Sequence, residues 1–133
     1  MNRWSMRISY LLLLPFLLLP ACATKQTVVS VTPEDGTALV LIEARSFSFI
    51  PTVIRARQGD HLLLRVINLA NTAHNLTVKN PSGEIVQGVD LPAGQTVEIP
   101  VHLNEAGTWP YYCDRPLHTP LGMNGTIEAS PGP

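Results

Sequence analysis

Beyond residue 36 the chain is organised in short runs of alternating apolar and polar residues, broken by turn clusters. In Thr96 to His102, Val97, Ile99 and Val101 share one face while Glu98, Pro100 and His102 share the other. That period of two is the mark of a strand buried on one side. Runs at 37–44, 47–51, 52–57, 61–68, 74–79, 84–89, 96–103, 108–113 and 125–129 read the same way, rich in β-branched and aromatic residues. Gln58-Gly59-Asp60 and Asn80-Pro81-Ser82-Gly83 supply turn chemistry between them. No stretch has helical periodicity, so the pattern predicts an all-β antiparallel sandwich or barrel of about eight strands. Pro100 cannot donate to a ladder, which predicts a sheet edge for 96–102. Parity also orients single residues. His74 falls in phase with Leu76 and Val78, and Cys113 with Trp109 and Tyr111, so both are predicted to point inward from two strand ends.

The first residues follow a different pattern. Arg3 and Arg7 precede an apolar run from Leu11 to Leu19, and Leu19-Pro20-Ala21-Cys22 follows. A positive end, a short apolar middle and a small residue before the cut make residues 1–21 a signal peptide. The run is interrupted by Pro15 and Pro20 and is a poor match to the roughly 20 apolar residues of a membrane span. Leu19, Ala21 and Cys22 resemble a bacterial lipobox, although Pro20 is unusual at its position. The resemblance implies lipidation of Cys22 and an exported, periplasmic or extracytoplasmic protein held to a membrane by lipid. An ordinary secreted protein cut nearby, or an uncleaved anchor, is the alternative. Residues 22–35 then form the lipidated cysteine and a flexible tether ending at the turn Pro33-Glu34-Asp35-Gly36, and 36–130 form the domain. Ser130 to Pro133 is expected to be loose.

Composition narrows the class. A chain of 133 residues with 45% apolar residues supports one domain with a real core. The formal net charge is −1. Loss of Arg3 and Arg7 takes it to −1 − 2 = −3, and there is no basic run. Both facts speak against nucleic acid as a partner. Cys22 and Cys113 are the only cysteines. A disulfide is possible on parity, but each sits in its own recognisable context.

The densest chemistry lies in Tyr111-Tyr112-Cys113-Asp114-Arg115-Pro116-Leu117-His118-Thr119-Pro120-Leu121-Gly122-Met123. A thiolate, an imidazole and a thioether recur as Cys-x4-His-x4-Met. That soft mixed set suits copper cycling between two oxidation states, whereas zinc has no use for the thioether. His74, inward-facing, is placed to add a second imidazole. Asn75 beside it can hydrogen-bond across to the Cys113 loop and hold the two segments together. His61 and His102 read as solvent-exposed, and Asp114 and Arg115 as a solvated pair that could alternatively steer a partner. Trp109, Tyr111 and Tyr112 read as core and sheet aromatics.

Phe47-x-Phe49-x-Pro51, Gly59-Asp60, Asn68, His74-Asn75, Leu91-Pro92-Ala93-Gly94, Ala106-Gly107-Thr108 and the Cys113/His118/Met123 loop with Gly125 together resemble a cupredoxin, the small blue-copper family. The four-and-four loop is similar to rusticyanin-like and sulfocyanin-like loops. Two departures are Leu117, where related loops often carry Gly, and the charged pair Asp114-Arg115. The resemblance implies a Greek-key β-sandwich with one type 1 copper, with His74, Cys113 and His118 equatorial and Met123 axial. It further implies single-electron transfer by a monomer, through transient docking to redox proteins such as cytochromes and oxidases. Copper delivery to a cuproenzyme is the alternative, though no methionine- or histidine-rich tract favours it. Enzyme activity is not expected, because four side chains leave no open position for substrate.

Overall fold

The computed structural model describes residues 25–133; the segment expected to be a signal peptide, 1–21, and Cys22 lie outside the described residues. Ten strands follow in order: β1 (Val28–Ser30), β2 (Thr37–Arg45), β3 (Ser48–Ile50), β4 (Val53–Arg57), β5 (His61–Asn68), β6 (His74–Lys79), β7 (Ile85–Leu91), β8 (Thr96–His102), β9 (Gly107–Tyr112) and β10 (Asn124–Ser130). They form a six-stranded sheet, β1-β4-β10-β9-β6-β7, and a four-stranded sheet, β3-β2-β5-β8. The two pack face to face as an all-β sandwich. No helix among the described residues is long and apolar enough to cross a membrane.

Alternation builds the core as the sequence predicts. In β2, Ala38, Val40, Ile42 and Ala44 are buried while Thr37, Leu39, Leu41 and Arg45 are exposed. In β5, Leu62, Leu64 and Val66 point the same way. Ile54, Leu76, Val78, Trp109, Tyr111 and Ile127 meet them from the other sheet. Trp109 and Tyr111 are the two largest fully buried side chains, and aromatic burial of this size dominates core energetics. The Trp109 indole N–H donates to the Glu105 carbonyl at 3.1 Å. The Tyr111 hydroxyl donates to the Pro51 carbonyl at 2.5 Å. Both polar tips are thereby satisfied inside the core. Strand β8, with Pro100 opposite Leu63, lies at a sheet edge as expected.

Two expectations need correction. The ladders are not all antiparallel: β2 runs parallel to β5, and β4 runs parallel to both β10 and β1. After the β2–β3 hairpin the chain crosses to the other sheet as β4 and returns as β5, so β5 re-enters beside β2 in the same direction. The segment 22–35 is also not tether throughout, because Val28–Ser30 is strand β1 on the free edge of β4. All three of its residues are exposed, so no inward alternation marks it in the sequence. Backbone pairing along an open edge holds it there.

Candidate metal centre

Two strand ends and one loop build the site. His74 is the first residue of β6, and its parity turns the imidazole inward until it is 1% exposed. Asn68, at the end of β5, prepares the approach. Its buried side-chain amide donates to the carbonyls of Leu91, Thr72 and Pro92 at 2.9, 3.0 and 3.2 Å, and its oxygen accepts from the Ala70 amide at 3.0 Å. A buried amide satisfied on every side fixes the 69–73 loop that delivers His74. Cys113 follows β9 directly and is fully buried.

The loop from Cys113 to Met123 closes on itself. The Cys113 amide donates to the Met123 carbonyl at 3.1 Å, and the Met123 amide to the His118 carbonyl at 3.0 Å. Within it the amides of His118, Leu121 and Gly122 donate to Arg115, Leu117 and Thr119. The Thr119 hydroxyl bonds to the Cys113 carbonyl. Met123 is fully buried beneath the loop. Leu117 adopts φ 68° and Gly122 φ 107°. The left-handed backbone at Leu117 accounts for the glycine that related loops often carry there, because a β-carbon makes that region costly.

The donor atoms converge. The ligating atoms of His74, Cys113 and His118 all lie within 4.8 Å of one another. His74 Nδ1 is 3.1 Å from His118 Nδ1, and Cys113 Sγ is 3.4 Å from the same nitrogen. Atoms each bound at about 2.0–2.3 Å to one ion stand apart by this much. The donor set therefore fits a single metal ion of copper's softness. Burial lowers the His74 pKa, helped by the nearby His118 and Arg115, which favours the neutral form that a ligand needs.

The surroundings hold these ligands in place. The Asp114 amide donates to Asn75 Oδ1 at 2.9 Å, and Asn75 Nδ2 bonds to the Asp114 carboxylate. Asn75 thus ties β6 to the Cys113 loop, the role its position suggested. Asp114 and Arg115 do not form a pair with each other. Asp114 faces Asn75, while Arg115 reaches Asp90 at 3.8 Å. His118 is half-buried, and the Phe47 ring meets it edge-on with centroids 5.1 Å apart. Asn68, Phe47 and Thr119 support the site without offering a metal-ligand signal in the sequence; only the polar Asn68 on an inward phase of β5 hints at such a role. His61 and His102 are exposed, as expected, and stack on each other at 4.1 Å from the far ends of β5 and β8.

Among solved structures the chain is similar to the reduced auracyanin of Roseiflexus castenholzii, with 16% identity and a TM-score of 0.62 over 76% of this chain and 100% of that one. It is similar to auracyanin A of Chloroflexus aurantiacus, a blue copper protein, with 20% identity and a TM-score of 0.64 over 71% and 100%. Reduced rusticyanin shares 19% identity with a TM-score of 0.62 over 77% and 84%. At these identities the likeness is one of fold. No curated protein matches the chain in sequence. The description "copper binding proteins, plastocyanin/azurin family" belongs to a family model that matches residues 37–130, from the first residue of β2 to the last of β10, and the chain therefore belongs to that family.

Proposed function

We propose that this protein is a membrane-anchored carrier of single electrons. The observation that carries the reading is the convergence of two imidazole Nδ1 atoms and one buried thiol, with only His118 reaching the surface. Copper bound there supplies a one-electron change of oxidation state. His74, Cys113 and His118 would hold it, and Met123 would add a weak thioether that tunes potential more than affinity. The rigid sandwich and the Asn75 clamp keep these side chains in one arrangement in both oxidation states, so little rearrangement opposes the transfer. Four protein ligands leave no open position for a substrate, which supports a carrier rather than an enzyme.

His118 is the route in and out. Pro116, Leu117, Pro120 and Leu121 surround it, and Leu117 and Leu121 are 71% and 59% exposed. A small apolar surface of this kind suits brief docking to redox proteins such as cytochromes and oxidases. Lipidation of Cys22 after export anchors the monomer to an extracytoplasmic membrane surface and raises its local concentration there.

The reading is tested by titrating the chain from Lys25 onward with copper and following visible absorption. A strong thiolate-to-copper band that bleaches and returns with reductant and oxidant supports electron transfer. Copper bound without that band would move copper delivery to first place.

Two further outcomes follow from the geometry. Asn75→Ala removes both bonds to Asp114, so unfolding free energy should fall by about 2 kcal/mol and copper should pass faster to a competing chelator. Denaturant unfolding and chelator-exchange kinetics measure the two effects. The second concerns pH. The folded His74 pKa lies below the ordinary 6.5, so between the two values the unfolded chain binds more protons than the folded one. Stability of the metal-free protein should be fully present above about pH 6.5 and fall as pH drops through the lowered value. Glutamine at position 74 should flatten that part of the profile.

A further inference from the structure

The chain enters the fold at the same end that carries the metal loop. β1, β4 and β10 run in parallel, with Val28, Val53 and Thr126 in register. β10 starts immediately after Met123, so the start of β1 lies at the copper pole. Thr27 is pinned there. Its carbonyl accepts from the amides of Thr52 and Val53 at 2.9 and 3.0 Å, and the Thr27 and Thr52 side chains each accept from the other's amide at 3.0 Å. Lys25, Gln26 and Thr27 share the lining of a groove of about 610 Å³ with Phe47, Leu121 and Gly122. The opposite pole carries His61 and His102, and the chain's last strand ends there, where the Gln58 amide donates to the Ser130 carbonyl at 2.7 Å.

We propose that the copper pole faces the membrane and that its partner is a redox protein embedded in that same membrane. This rests on lipidation of Cys22, proposed above. Five residue steps separate Cys22 from the pinned Thr27, and they span at most about 18 Å. A domain of about 100 residues has a radius of gyration near 13 Å, so it is about 35 Å across. To turn its copper pole to the water, the leash would have to run the length of the domain, which it cannot reach. A chain leaving from the other pole would impose the reverse orientation.

The surface presented toward the bilayer carries several exposed apolar side chains beside polar ones such as Asn71 and Asp114. Leu69, Leu117, Leu121 and Phe47 are 53%, 71%, 59% and 44% exposed around the His118 edge. Leu117 holds its side chain outward from a left-handed backbone that favours glycine. A membrane-embedded partner meets this surface without leaving the bilayer plane, whereas a diffusing carrier would have to enter the narrow gap beneath the domain.

The test uses the copper-loaded chain from Cys22 onward, which contains every described residue, coupled through the Cys22 thiol to a lipid in phosphatidylcholine vesicles. Cys113 is shielded by full burial. Hydroxyl-radical footprinting should show a several-fold drop in oxidation of Phe47, Leu117 and Leu121 on attachment, with His61 and His102 unchanged. Attachment through a cysteine added after Pro133, in a Cys22→Ala background, should reverse the pattern. Electron exchange with soluble cytochrome c should slow about tenfold when the Cys22 attachment occludes the docking face, and not with the C-terminal attachment. Equal protection of both poles, or one footprint from both attachments, would overturn the orientation. Undiminished exchange with cytochrome c would overturn the membrane-embedded partner in favour of a soluble one. The lipid is attached chemically, so these outcomes do not depend on processing in the cell. The mass of the Cys22 peptide from cell membranes tests lipidation on its own.

Discussion

Replacing Cys113 by alanine should abolish the intense visible absorption of the copper-loaded protein while leaving the fold intact. The sulfur sits 3.4 Å from His118 Nδ1 and is the only thiol among the described residues. No other side chain among the described residues can supply the thiolate that gives such a band. Alanine keeps the backbone bonds from Cys113 to Met123 and Thr119, because both use main-chain atoms of residue 113. The loss of one buried sulfur costs about 1 kcal/mol of burial, so the far-ultraviolet circular dichroism of a β-protein should persist. Copper should still be held by two imidazoles, but more weakly, and an optical titration beside a competing chelator reads both changes. A band that survives the substitution would remove Cys113 from the ligand set.

The largest stability loss expected from a single methyl group is at Gly125. This residue is the second of β10, beside the metal loop, and a β-carbon there would lie 2.3 Å from Tyr111 Cζ and 2.4 Å from its hydroxyl oxygen. Tyr111 has nowhere to go. It is fully buried, packs edge-on against Phe49 with centroids 5.8 Å apart, and donates its hydroxyl hydrogen to Pro51. Gly125→Ala should therefore cost about 3 kcal/mol, the upper end of overpacking penalties. For a domain of this size that corresponds to a fall in Tm of about 15 °C, measured by calorimetry. The paired change Gly125→Ala with Tyr111→Phe should recover part of the loss, because the hydroxyl is one of the atoms in conflict.

The parts of the structure that the sequence makes legible are those with a local signal. Alternation in β2, β5 and β8 exposes the sandwich and its buried faces, and Pro100 marks an edge by a missing donor. His74 and Cys113 are legible as inward because parity is a property of the strand alone. What escapes depends on distant partners. β1 is three exposed residues whose strand character comes only from the open edge of β4. The parallel pairing of β2 with β5 is a consequence of where β4 crosses, which no single segment records. The separate partners of Asp114 and Arg115 depend on Asn75 and Asp90, 39 and 25 positions away. Phe47 covers His118 across the fold, and nothing near either residue announces it.

β1 also acts as a cover. It lies along one side of β4, whose other side is occupied by β10. Val29 and Val31 line an open apolar groove with Leu39, Leu41 and Ile50. Trimming the chain back to Pro33 would leave the copper ligands untouched, yet it would bare the amides and carbonyls of Val53 to Arg55 beside an apolar strip. An uncovered strand of that kind is a template for a second copy. The shortened protein should sediment as a monomer when dilute and self-associate as its concentration rises, while the chain from Lys25 stays monomeric. Val28 to Ser30 would then serve as a guard against edge-to-edge aggregation.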